Sequence, residues 1–105
     1  MTSPASNHTK ARLEQQAPGR YVLSGDLNFH TVPDVWQQGK ALFGQGASVA
    51  VDLSGVGHCN SAGLALLIEW MRNAQTGNQS ISFQNLPPQM RDIATVCGVA
   101  DKLPV

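Results

Sequence analysis

The sequence predicts one α/β domain, a small mixed β-sheet packed with about three main helices in the order β-β-α-β-α-β-α. Three observations carry this reading. The chain has 105 residues, the length of a domain with one core, and 42% of them are hydrophobic. Short β-branched or alternating apolar runs exchange places with segments whose apolar residues recur at three- and four-residue spacing. Prolines and glycines stand between them, where turns and helix ends belong.

The elements follow in chain order. Residues 1–10 are polar, rich in Ser and Thr and carry Pro4, and read as a mobile tail before a domain over 11–105. Ala17-Pro18-Gly19-Arg20 has Pro second and Gly third, as a type II turn prefers, so strands near Ala11–Gln15 and Arg20–Ser24 should form a hairpin. Val32, Val35, Trp36, Gly39, Leu42 and Phe43 mark one face of a first helix. Thr31 is placed as its N-cap, Pro33 lies in its first turn, and Gly44 and Gly46 close it. Ser48–Leu53 alternates β-branched residues and reads as a central strand. A small-residue loop leads from it to a helix starting near Ser61, with Leu64, Leu67, Ile68 and Met71 inward and Gly77 after its end. Ser80–Gln84 alternates again. Pro87-Pro88 opens a third helix with Met90, Ile93, Ala94 and Cys97 on its inner stripe, and Gly98 follows the C-cap.

Charge narrows the function. Seven Lys and Arg balance seven Asp and Glu, and only 13% of residues are charged. A free-standing nucleic-acid binder normally carries a basic stripe, which this chain lacks. A sparsely charged surface is poorly soluble alone, so a permanent partner covering part of it is expected. Cys59 and Cys97 lie far apart and outside any CxxC pattern, as reduced thiols of a cytosolic protein do. The sequence shows neither a signal-peptide core nor an apolar run of about 20 residues that could span a membrane.

The richest stretch is Ala50–Ala74, AVDLSGVGHCNSAGLALLIEWMRNA, where an apolar strand runs through small residues into an apolar helix. A helix start presents unpaired N–H groups and partial positive charge. Ser61 there is a cap, a contact or a phosphorylation point, and Asn60 is an equally good cap. Enzyme signatures fall short. Cys59 stands where G-x-S-x-G needs its first glycine, and His8, His30 and His58 all precede Ser61, against the hydrolase order. Gly55-Val56-Gly57 lacks the third glycine of a dinucleotide fingerprint, with Asn60 in its place. His58 and Cys59 are adjacent without a second ligand pair, so no metal, cofactor or catalytic residue is expected. Leu66 and Trp70 form a second stripe turned away from Leu64 and Ile68, which is either left for a partner or buried internally.

The stretch VDLSGVGHCNSAGLALL resembles the STAS domain family: a strand ending in Asp-Leu, then a loop carrying Asp-Ser/Thr-x-Gly-Leu. The resemblance spans about 21–105. Within the family, VLSGDLNFHTVPDVW and ISFQNLPPQMRDIATVCGVADKLP are most similar to the MlaB-like subgroup, the cytoplasmic STAS subunits of Mla phospholipid ABC transporters. The resemblance implies a non-catalytic subunit that binds, stabilises and regulates an MlaF-like ATPase, in a complex with a permease and a lipid-binding subunit. Such complexes maintain outer-membrane lipid asymmetry, and the subunit is cytoplasmic and peripheral to the inner membrane. The family also contains anti-sigma-factor antagonists, switched by phosphorylation at the position of Ser61. Their usual Asp before that hydroxyl is Asn60 here, which favours the transporter subgroup. The implied partner surface comprises Asn28, His30, Trp36, His58, Asn60, Ser61, Ala62, Leu64 and Leu66.

Overall fold

Pro18 and Gly19 turn the chain as expected, between strand β1 (Ala11–Ala17) and strand β2 (Arg20–Leu27), which pair antiparallel. Gly19 has φ 75°, the left-handed backbone that the third position of a type II turn requires. This computed structural model describes residues 10–44 and 48–104. The expected tail over 1–10, apart from Lys10, and the expected helix closure at Gly46 lie outside the described residues.

Strand β3 (Ser48–Cys59) pairs parallel to β2, and strand β4 (Ser80–Gln84) pairs parallel to β3, giving the order β1-β2-β3-β4. The small mixed sheet and its three helices, α1 (Val32–Phe43), α2 (Ser61–Thr76) and α3 (Pro88–Val96), form the expected STAS architecture. Successive β-α-β crossovers that advance in one direction with one handedness put their helices on the same face. That face holds Leu13, Leu23, Val51, Leu53 and Phe83, all buried, while Glu14, Ser54 and Gln84 look to solvent.

Residues 54–59, expected as loop, are strand. Ser24, Gly25 and Leu27 pair with Gly55, Val56 and Cys59 across two register shifts. Backbone pairing holds this extension, so its small and polar side chains give no alternation to read.

Helix α2 lies between α1 and α3 and over β4. It therefore buries one broad face, Ala62, Gly63, Leu64, Leu66, Leu67, Trp70 and Ala74, and leaves Ser61, Ala65, Glu69 and Arg72 exposed on the other. The Leu66 and Trp70 stripe is internal, each residue 2% exposed. Trp70 packs edge-on against Phe43 of α1 with centroids 5.1 Å apart. On the opposite side Leu64 meets Ala94 and Leu103, below a 3-10 turn at Ala100–Lys102. Ile68 and Met71, expected inward, are half-buried. In α3, Met90 and Ala94 are buried as expected, whereas Cys97 is exposed. The helix ends at Val96 and Cys97 is its C-cap, off the inner stripe. Cys59 and Cys97 are both free thiols.

Candidate functional site

The carboxyl ends of β2 and β3, where α/β sheets commonly bind ligands, lie side by side. After β2 the chain makes a tight turn over Asn28–Thr31 that enters α1. Thr31 is the N-cap residue of α1 as expected, but its side chain makes no cap bond to the helix. The capping is done one turn earlier, by a reciprocal pair. Asn28 Oδ1 accepts from the N–H groups of His30 and Thr31 at 2.8 and 3.1 Å, and Thr31 Oγ1 accepts from Asn28 N–H at 3.0 Å. This is a capping box, with the buried Thr31 hydroxyl also donating to the Asp26 carbonyl at 2.8 Å.

The junction of β3 and α2 is tied to that turn. Asn60 N–H donates to the Leu27 carbonyl at 3.1 Å, and His58 N–H to Asp26 Oδ1 at 3.0 Å. Asn60 is the N-cap of α2, its Oδ1 accepting from Ala62 N–H at 2.8 Å. Ser61 is consequently the first helical residue, exposed, at a helix start with no acidic residue in its first turn. The choice between two caps that the sequence left open falls to Asn60.

Not every expected contact residue is available to a partner. Ala62, Leu64 and Leu66 are buried, because the central position of α2 leaves them facing the sheet and the flanking helices. Asn28 spends its carbonyl oxygen on the capping box. His30, His58, Asn60 and Ser61 are exposed at one end of the sheet. Trp36 is half-buried, with Lys40 Nζ 5.9 Å from its ring centroid. It borders a shallow apolar depression of about 110 Å³ with Val32, Ala65, Leu66 and Glu69. Ser61, Ala65 and Glu69 follow one another along the exposed side of α2, leading from the helix start to Trp36. Ala65 and Glu69 on α2, Val32 on α1, and Phe29 just before Val32 in the chain were not picked as contact residues from sequence. Phe29 is 70% exposed on the capped turn. The signal for it was an apolar residue between Asn28 and His30, outside the face of any strand or helix.

Beyond His58 the surface opens into a groove of about 540 Å³ between the β3 extension and the β4–α3 connection, lined by Val56, Pro87, Gln89 and Arg91 among others. Gln89 Oε1 accepts from Cys59 N–H at 3.2 Å, joining α3 to the site. Burial pushes the Cys59 thiol upward, so it stays protonated.

Asp52, the acid of the Asp-Leu strand end, is a brace. Its Oδ1 accepts from Asn85 Nδ2 at 3.0 Å and from Ser54 N–H at 2.9 Å, with Asn85 in left-handed backbone at φ 58°. These bonds, Asn85 first, hold the carboxyl below its ordinary value of 3.8. A depressed folded value gives stability that is complete above the unfolded one and is lost as pH falls through the folded one. Asp52→Ala is therefore expected to lower the stability at pH 7 by at most about 1 kcal/mol at this partly exposed place, with a small fall in melting temperature. The difference from wild type should close on acidification below 3.8. Melting curves of both proteins across pH check this, and a gap that persists in acid would assign the loss to something other than the carboxylate.

Comparison with known proteins follows the same geometry. The family model described as "Mlab, STAS domain" matches residues 12–104. Among solved structures, the MlaB chain in the Acinetobacter MlaFEDB complex, in its ATP-bound Vtrans2 conformation, superposes with a TM-score of 0.72 at 27% identity. That match covers 82% of this chain and 92% of the other. The unphosphorylated anti-sigma factor antagonist SpoIIAA superposes at 0.67 with 20% identity, covering 87% of this chain and 83% of that one. An anti-sigma factor antagonist from Mycobacterium paratuberculosis also gives 0.67 at 20% identity, over 99% and 88% of the two chains. No curated protein matches the sequence significantly. Among the described residues no helix is long and apolar enough to cross a membrane. With the family model matching nearly its whole length, the chain belongs to the MlaB-type STAS domain family.

Proposed function

We propose that this chain is a non-catalytic accessory subunit of a phospholipid ABC transporter, bound from the cytoplasmic side to the transporter's ATPase, which it stabilises and regulates. The observation that carries the reading is the match to the MlaB model over residues 12–104. The site supports it. Its exposed groups, His30, His58, Asn60, Ser61 and half-buried Trp36, offer neutral polar and aromatic contacts suited to a lasting protein interface. The transporter places the subunit at the inner membrane without an insertion of its own, and the complex maintains outer-membrane lipid asymmetry.

A second reading is favoured by one observation. Ser61 is exposed at a helix start, where a phosphate gains from the dipole, and the fold matches SpoIIAA. In that reading the chain is an anti-sigma-factor antagonist switched at Ser61. Asn60, neutral and committed to its cap, stands where that group usually carries Asp.

An affinity purification from native extract separates the two. An ABC ATPase is expected to co-purify with the chain in stable, near-equal amount. Recovery of a sigma-regulating kinase without any ATPase would replace the transporter reading by the second one.

A further inference from the structure

We infer that Phe29 is the aromatic anchor by which this chain grips the ATPase; the inference rests on the docking reading above. The fold makes little use of this ring. It is 70% exposed, and the turn that carries it is built by its neighbours, through the capping box of Asn28 and Thr31. A polar residue at position 29 would close the same turn and improve solubility. The other large exposed side chains, Leu42 and Val96, lie on helices away from this end of the sheet.

The backbone that carries the ring is also held ready. Asn28 Oδ1 fixes the N–H groups of His30 and Thr31, Thr31 Oγ1 fixes the N–H of Asn28 and reaches the Asp26 carbonyl, and the Leu27 carbonyl receives Asn60 N–H. The backbone on both sides of Phe29 is thus fixed before any partner arrives, so little ordering remains to oppose binding. Rigidly presented aromatic residues are the kind that dominate interface energetics.

Charge specifies the complement. The groups beside the turn are His30, Asn60 and Ser61. The nearest acids are already engaged, Asp26 with His58 N–H and Asp34 with Gln38 Nε2 at 3.0 Å. The partner surface facing the turn is therefore an apolar recess rimmed by neutral polar groups. Charges of both signs, Lys40 over Trp36 and Glu69 paired with Arg72, stand only toward the Trp36 end. The turn that carries Phe29 is bonded to the start of α2 through the Leu27 carbonyl and Asn60 N–H and leads directly into α1, which carries Trp36, so it adjoins the interface proposed above.

The test titrates full-length wild type, Phe29→Ser and Phe29→Trp against the purified ATPase that the wild-type chain captures. Phe29→Ser is expected to weaken binding by at least about tenfold. Its melting temperature should stay within about 2 °C of wild type, as for an exposed residue. Phe29→Trp should retain the affinity to within about threefold, because an aromatic ring remains. Unchanged affinity in Phe29→Ser, with the wild-type chain bound, overturns the anchor and leaves the docking reading standing. A wild-type chain that captures no ATPase overturns both. If Phe29→Ser instead converts a self-associated wild type into monomer, the ring serves a second copy of this chain and the anchor is overturned. A large fall in its melting temperature would show that the ring belongs to the fold, with the same consequence.

Discussion

Trp70→Ala is expected to lower the free energy of unfolding by about 3–5 kcal/mol, a large part of the stability of a domain this size. The indole is 2% exposed, stacks edge-on against Phe43, and lies against Gly39 of α1. A Cβ at Gly39 would come 2.5 Å from Trp70 Nε1 and 2.8 Å from Cε2. The glycine is thus required by the close approach of α1 and α2. Gly39→Ala should cost about 1–3 kcal/mol by overpacking, although alanine favours helix over glycine by about 1 kcal/mol. In the Trp70→Ala background the clash is gone, and Gly39→Ala should become stabilising. Trp70→Phe offers a further contrast. Trp70 Nε1 is buried without a hydrogen-bond partner among the described residues, so phenylalanine removes an unsatisfied donor and retains most of the packing. Urea denaturation of the two single variants and the double variant measures the cycle. A Gly39→Ala effect of the same sign and size in both backgrounds would show that the indole does not set the α1–α2 distance.

The seam matters for function because it sets the spacing of the surface. α1 begins just after the Phe29 turn and carries Trp36, while α2 begins at Ser61 and carries Ala65. A change in how Trp70 meets Gly39 would alter that spacing without touching an exposed residue.

Much of this was legible in the residues. Pro18-Gly19 announced the hairpin, and alternation announced Ser80–Gln84. The three- and four-residue spacing announced α1 and the inner residues Met90 and Ala94. What failed has one cause in each case. Periodicity reports which side chains are buried, so it missed residues 54–59, where strand pairing is carried by the backbone. It also blurred the outward face at the start of α2, since a helix wedged between two others and a sheet buries a broad apolar arc and leaves only Ser61, Ala65 and Glu69 to mark the exposed side there. For that reason the sequence left Leu66 and Trp70 open between a partner stripe and internal burial. The site was half visible. Asn60 and Ser61 were placed at the helix start from sequence. The spacing of Asn28 and Thr31 was that of a capping box, and taking Thr31 alone as cap hid both the true role of Asn28 and the exposure of Phe29 between them.

Ser61→Asp is expected to leave the domain folded and to weaken ATPase binding by at least about tenfold, or 1.4 kcal/mol. Because Asn60 supplies the cap of α2, nothing in the fold depends on the Ser61 hydroxyl as a cap. The first turn of α2 carries no acidic residue, so a carboxylate there interacts favourably with the helix dipole, typically by about 0.3–1 kcal/mol. The free variant should melt at or slightly above the wild-type temperature. At the interface the balance reverses. A carboxylate closed under the partner, beside the aromatic Phe29 and Trp36, loses its water, and among the described residues none of the hydrogen bonds of the α2 start supplies it a charged partner. Ser61→Ala serves as the control, since it keeps the surface neutral and small, and it should bind nearly as well as wild type. Melting curves of the free variants and titrations against the captured ATPase read the two effects separately. Equal affinity for Ser61→Asp and wild type would place Ser61 outside the contact and require the interface to lie elsewhere on the domain. Loss of binding in Ser61→Ala as well would instead make the hydroxyl itself a required contact, and the charge argument would fall.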